Sequence, residues 1–282
     1  MKTLAVVARA IAVLLLAGCS SAPPGPPQDP TLARLRHAGD TAFEQEQPAQ
    51  AAVQYRAALE QARIRDDAGA IANAGFNLAA AQLRAGKPMD ALRTAEAVRV
   101  ELARRGIADA DFDLISATAL YRMGNLSAAD AAAAGLTGNK NPALADAAWF
   151  LRGLIADQHG DRPGLAHALA SLTPAASPAD VAELKARASG DPAEALHAAD
   201  LRRDRLDYRG MARALALAAR LTRSTSQAAD LYLRAGRSAA GQGDTEDARL
   251  WLAQAQEISP DPGLRAAATQ ALAAIDKPPG SS

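Results

Sequence analysis

Cysteine occurs once in this chain, at position 19, so no intramolecular disulfide can form and no second thiolate exists to complete a soft metal site. Aromatic residues are scarce, at 4%, and no alternating run of β-branched residues marks a strand, which leaves little for a β-sheet to bury. Net charge is also missing, because 31 Lys and Arg balance 31 Asp and Glu; without a basic surplus to neutralise phosphates, nucleic acid is argued against as a partner. The four histidines, His37, His159, His167 and His197, form no His-Glu-x-x-His set. A Gly-x-Ser-x-Gly elbow, a phosphate loop and a dinucleotide glycine pattern are all lacking. The carboxylate pairs Asp66-Asp67, Asp111-Asp113 and Glu246-Asp247 stand at helix starts or turns, where they cap backbone amides and complement the helix dipole. No catalytic residue, metal or cofactor is assigned, and the chain reads as a non-enzyme.

What is abundant is alanine, roughly a quarter of the residues, which favours closely packed helices on the helix propensity scale. The fold expected is all-α. At the amino end Lys2 and Arg9 form a positive region, Ala10 to Ala17 an apolar run too short to span a bilayer, and Leu16-Ala17-Gly18-Cys19 a small-residue cleavage site. That stretch resembles a bacterial lipobox. The resemblance implies removal of residues 1–18 and lipidation of Cys19. Because Ser20 rather than Asp follows the cysteine, it also implies sorting to the periplasmic side of the outer membrane. Each buried methylene contributes about 0.8 kcal/mol, so two or three acyl chains would hold almost permanently. Taking Lys2 and Arg9 from the basic residues leaves 29 against 31 acidic ones, still close to neutral.

Residues 19–30 continue as a proline-rich stretch without apolar periodicity, read as a tether that reaches about 30 Å at roughly 3.1 Å per residue. From 31 to 276 a repeat is visible. Turn segments recur at Gln47-Pro48, Lys87-Pro88, Asn125-Leu126, Gly160-Asp161, Gly190-Asp191 and Gly243-Asp244. In the last four a Gly in the turn (Gly124 before Asn125) suits a left-handed helix end, and Asn or Asp suits the next N-cap. Asp191, Pro192 and Glu194 have the order of an N-cap, a first-turn proline and a capping-box acid. The period of 40 between Ala51 and Ala91 is ascribed to an extension of the helix pair by Arg63 to Ala70.

The most complete unit runs Tyr232, Ala235, Gly236, Ala239, Gly243, Asp244, Ala248, Leu252, Ala255, Pro260, and its order of large, small and stop residues resembles the tetratricopeptide repeat. Trp149, Gly153, Ala156 and Gly160 match its first half; Ala51, Tyr55, Ala58 and Ala91, Ala95, Val98 match its second. The resemblance implies an α-solenoid of about six helix-turn-helix repeats, with a capping helix from Asp261-Pro262-Gly263 to about Ile275 and a frayed tail at 277–282. Three departures stand out: Leu165 where a small residue is expected, a shortened first helix in the fifth repeat, and Tyr208 to Leu221 as an extra helix without an obvious partner.

In this family the first helix of each repeat lines the concave surface. Carried onto this chain, that face takes Arg36, Asp40 and Phe43, then Phe76, Leu83 and Arg84, then Leu114, Tyr121 and Arg122, then Phe150, Leu154 and Asp157. Singly, the aromatics read as fillers between repeats; together with the arginines they define a candidate interaction face. The lysine and asparagine pair with which some tetratricopeptide domains clamp a terminal carboxylate is replaced here by Arg36 with Asp40 and Phe76 with Ala80. The reading that results is a lipid-anchored adaptor whose partners are proteins of the cell envelope; a cell-wall enzyme and a glycan- or small-molecule-binding lipoprotein are the competing classes. Replacing the sulfur that would carry the lipid gives the first test: Cys19→Ser is expected to move the protein from the carbonate-washed membrane fraction to the soluble fraction, measured by immunoblot.

Overall fold

The computed structural model describes residues 29–276, so Cys19, most of the tether and the tail at 277–282 lie outside the described residues. Fourteen helices follow one another along that span. They are α1 (Pro30–Glu44), α2 (Pro48–Ile64), α3 (Ala68–Arg84), α4 (Pro88–Ala103), α5 (Asp111–Arg122), α6 (Leu126–Ala134) and α7 (Pro142–Gln158). Then come α8 (Arg162–Ser171), α9 (Pro178–Ser189), α10 (Pro192–Asp204), α11 (Tyr208–Leu221), α12 (Thr225–Gly241), α13 (Thr245–Ile258) and α14 (Pro262–Ile275).

The turns explain why the helices stop where they do. The N–H of Gln47, Lys87, Asn125, Asp161 and Asp244 each donates to the carbonyl five residues back, at 2.8 to 3.0 Å, the closure that ends a helix and reverses the chain. Gly190 supplies the left-handed backbone at the end of α9, with φ of 75°. Three turns do this without glycine: Glu46, Asp66 and Leu206 have φ of 57°, 52° and 59°. Asp66 lies inside the stretch expected to extend the helix pair, and there it makes the turn. Arg63 to Ala70 contains the turn between α2 and α3, and the period of 40 comes from two helices of 17 residues each. Asp191 caps α10 by accepting from the Ala193 N–H at 2.9 Å. Its own N–H goes to Ser189 Oγ at 3.1 Å, taking the place that a capping box would have given Glu194.

Each helix packs chiefly on the ones before and after it, and alternate helices touch along α3, α5, α7 and α9 and again between α12 and α14. The core is accordingly a succession of small apolar clusters handed from repeat to repeat. This is a tetratricopeptide-like α-solenoid, and its seams are close. A Cβ at Gly75 would stand 2.7 Å from Val98, one at Gly153 2.8 Å from Leu184, and one at Gly236 2.6 Å from Leu252. Contact distances between carbon atoms begin near 3.5 Å, so only hydrogen fits at these three positions. Leu165 is fully buried against Leu184, where the pattern suggested a small residue. The helix from Tyr208 to Leu221 is not partnerless: α11 is wedged between α10 and α12 and buries nine of its fourteen residues.

Gly236 is the position where relaxation is hardest, because an added Cβ also comes within 3.1 Å of the Leu252 backbone N. Gly236→Ala is expected to destabilise the chain by about 1–3 kcal/mol through overpacking, read as a lower urea midpoint. Gly241→Ala on the same helix, where nothing lies within 4 Å, serves as the unaffected comparison.

Candidate functional site

A groove of about 740 Å³ opens beside the helix seams toward the carboxyl end of the solenoid. Its walls come from distant parts of the chain. Tyr121 enters from α5, Asp157 and Gln158 from α7, Arg187 from α9, Arg213, Leu217 and Arg220 from α11, and Tyr232 from α12; Asp247, Leu250, Trp251 and Gln254 form the facing side from α13. The Tyr121 hydroxyl accepts from Gln158 Nε2 at 2.9 Å. Burial pushes the Tyr121 phenol up from its ordinary value, so it stays protonated.

Under the groove lies an ion cluster. Glu183 of α9, only 4% exposed, accepts from Arg187 at 2.8 Å and from Arg202 of α10 at 2.7 Å. Burial opposes ionisation of Glu183, but Arg187 and Arg202 outweigh it and hold its carboxyl below the usual range. Arg187 extends the chain of charges to Asp157 at 2.7 Å, which Arg220 approaches at 3.7 Å. Arg202 reaches Asp180 at 2.8 Å and Asp207 at 3.1 Å. Four elements, α7, α9, α10 and α11, are thereby fixed to one another beneath the surface a ligand would meet.

The residues expected on one face separate into three places. Arg36 lines a smaller cavity of about 380 Å³ with Leu32 and Asn73, whereas Asp40 turns away from it and accepts from the Tyr55 hydroxyl at 2.8 Å. Arg84 stacks 4.9 Å from the centre of the Phe43 ring and pairs with Glu46. Leu83 is buried, and its carbonyl receives Arg122. Desolvation and repulsion from Arg213 and Arg209 bring Arg122 down to about 10, although solvent reaches its side chain. Phe76 meets Phe112 edge-on at 6.4 Å and remains 36% exposed. Phe150 is half-buried at the seam of α7 and α9, with Arg202 5.9 Å from its ring centre. Only Tyr121 and Asp157 of that set line the main groove.

Sequence reading missed the other lining residues because it set α11 aside as an extra helix and gave the binding face to first helices alone. The groove also takes four side chains from α13. One signal was available: after Arg209 at its start, the charged residues of α11 are Arg213 and Arg220, at a spacing of seven that puts them on one helix face. Elsewhere Trp149 packs edge-on against His167 at 5.0 Å. Among the described residues no group of three His, Cys, Asp or Glu is placed to hold a metal ion, and no helix is long and apolar enough to cross a membrane.

No protein-family model matches the sequence, and no curated protein matches it. Among solved structures, a tetratricopeptide repeat protein from Parabacteroides merdae is 17% identical, covers 88% of this chain and 99% of its own, and superposes with a TM-score of 0.46. The TPR2AB domain of yeast Sti1, in complex with pHSP90, is 15% identical over 87% of this chain and 98% of its own, with a TM-score of 0.34. The fold assignment rests on the helix packing and its glycine seams.

Removing the carboxylate at the centre of the ion cluster tests its weight. Glu183→Gln leaves Arg187 and Arg202 without their shared counterion and is expected to cost about 3 kcal/mol at neutral pH, as breaking a buried pair does. The folded pKa of Glu183 lies below its ordinary 4.5. Its contribution is therefore complete above that value and lost as pH falls through the lower, folded one. Urea titrations at neutral and acidic pH should converge for the two proteins toward the acid end.

Proposed function

We propose that this chain is a non-catalytic docking scaffold of the bacterial envelope, held by lipid on Cys19 to the periplasmic side of the outer membrane and binding protein partners in the groove between α5 and α13. The observation that carries the reading is the groove itself. Its walls offer arginine, tyrosine and tryptophan together, the side chains that most often anchor protein interfaces. The ion cluster beneath fixes its floor, so a partner would meet a surface formed before it arrives and would not have to order it. The anchor and the tether support the same reading from the sequence side, since a spacer of about 30 Å would hold the solenoid clear of the headgroups while confining it to one membrane. Pathways served by such a scaffold include pilus or secretion assembly and other envelope assembly.

A photo-crosslinking amino acid at Leu250, which is 53% exposed on the groove wall, tests the proposal in intact cells. Discrete protein adducts are expected from Leu250, and adducts at a different or lower yield from Phe76 and Arg36 at the amino-terminal end. Absence of any protein adduct from all three positions, or muralytic activity in the purified protein, would overturn the scaffold reading.

A further inference from the structure

The walls of the groove specify the chemistry of what fits it. Of the fourteen residues of α11, only Arg213 and Arg220 are exposed, and both open into the groove. The rest of the helix is buried or half-buried between its neighbours, so these two cations are what α11 presents to solvent. Arg187 is consumed by Glu183 and Asp157. Arg162 donates to the Arg187 carbonyl at 2.7 Å, Arg220 has only the 3.7 Å approach to Asp157, and among the described residues Arg213 makes no hydrogen bond or ion pair. Asp247 lines the same groove and feels the charge of Arg213, but bridges to neither arginine. Four groove arginines therefore face two aspartates, and the surplus resides on α11.

Seven residues on a helix advance about 10.5 Å along its axis. Three residues of polyproline II chain complete one turn, return a side chain to the same face and cover nearly the same distance, about 9 Å at roughly 3.1 Å each. Leu217 lies between the two arginines on α11, and Leu250 and Trp251 line the same groove from α13. Resting on the docking reading above, we infer that the groove binds a partner segment in polyproline II conformation with two acidic side chains three residues apart and an apolar side chain between them, the acids meeting Arg213 and Arg220. The guanidinium planes would take the carboxylates in paired hydrogen bonds, and the apolar side chain would cover Leu250 and Trp251.

Panning a random library of 12-residue peptides on the full chain and on the double variant Arg213→Glu/Arg220→Glu tests this. The unaltered chain is expected to enrich peptides with Asp or Glu at i and i+3 flanking an apolar residue, and the double variant to enrich Lys or Arg instead. A fluorescein-labelled peptide from the first selection should lose at least tenfold in affinity by anisotropy with either single Arg→Glu change. Arg213→Lys, which keeps the charge, should lose less and guards against a folding defect, with circular dichroism as the check. Enrichment of neutral or basic peptides, no enrichment at all, selection indifferent to charge reversal, or equal displacement of the peptide by inorganic phosphate would each overturn the inference. Those results would leave the scaffold reading standing wherever Leu250 still crosslinks a protein in cells; loss of the crosslinks would remove both.

Discussion

Close approach of helices through glycine and alanine is the constraint on which this solenoid depends. With so few aromatic side chains, the chain cannot fill wide gaps between helices, and stability has to come from narrow seams. Gly75, Gly153 and Gly236 show how narrow, since no Cβ fits between them and Val98, Leu184 and Leu252. The same constraint spreads the core into successive clusters from α1 to α14. Each helix depends on its neighbours, and burying a leucine such as Leu252 contributes about 1.5–3 kcal/mol.

Charge does a different job from packing. Around Glu183, two arginines from adjacent helices meet one buried carboxylate and then branch to Asp157, Asp180 and Asp207. A buried network of this kind adds little net stability over an apolar filling, but it fixes how α7, α9, α10 and α11 sit beneath the groove. It also uses up most of the local charge, so that the few cations left over, on α11, are the ones that give the groove its sign. Arg209 performs a related task at the other end of α11, where it reaches the Gln242 carbonyl and Asp244 at 3.3 Å and ties α11 to the turn before α13.

The helices and their repeat were readable because their signals are local. Asp191 before Pro192 starts α10 and Asp261 before Pro262 starts α14, and the alanines that follow the recognised turns, Ala51, Ala91, Ala129, Ala195 and Ala248, are fully buried, Leu165 taking that place after Gly160. The turns at Asp66 and Leu206 escaped because a left-handed residue other than glycine leaves no mark in sequence; its strain is offset by packing that forms only in the folded chain. The candidate face was half legible. Tyr121 and Asp157 do line the groove, whereas Asp40 and Leu83 share the helical spacing of an exposed face yet are taken up by Tyr55 and by the core.

Sequence alone determined the all-α class, the repeat and most helix starts, together with the amino-terminal lipobox pattern, because propensity, capping and small-residue spacing act over a few residues. Only the tertiary structure decided which side chains meet. Glu183 and Arg187 of α9 meet Arg202 of α10, and the groove draws on Tyr121 and Trp251, 130 positions apart in the chain. Helical periodicity assigns a residue to a face, but how successive helices turn relative to one another depends on the sum of their seams, and that sum is settled only when the whole solenoid has packed.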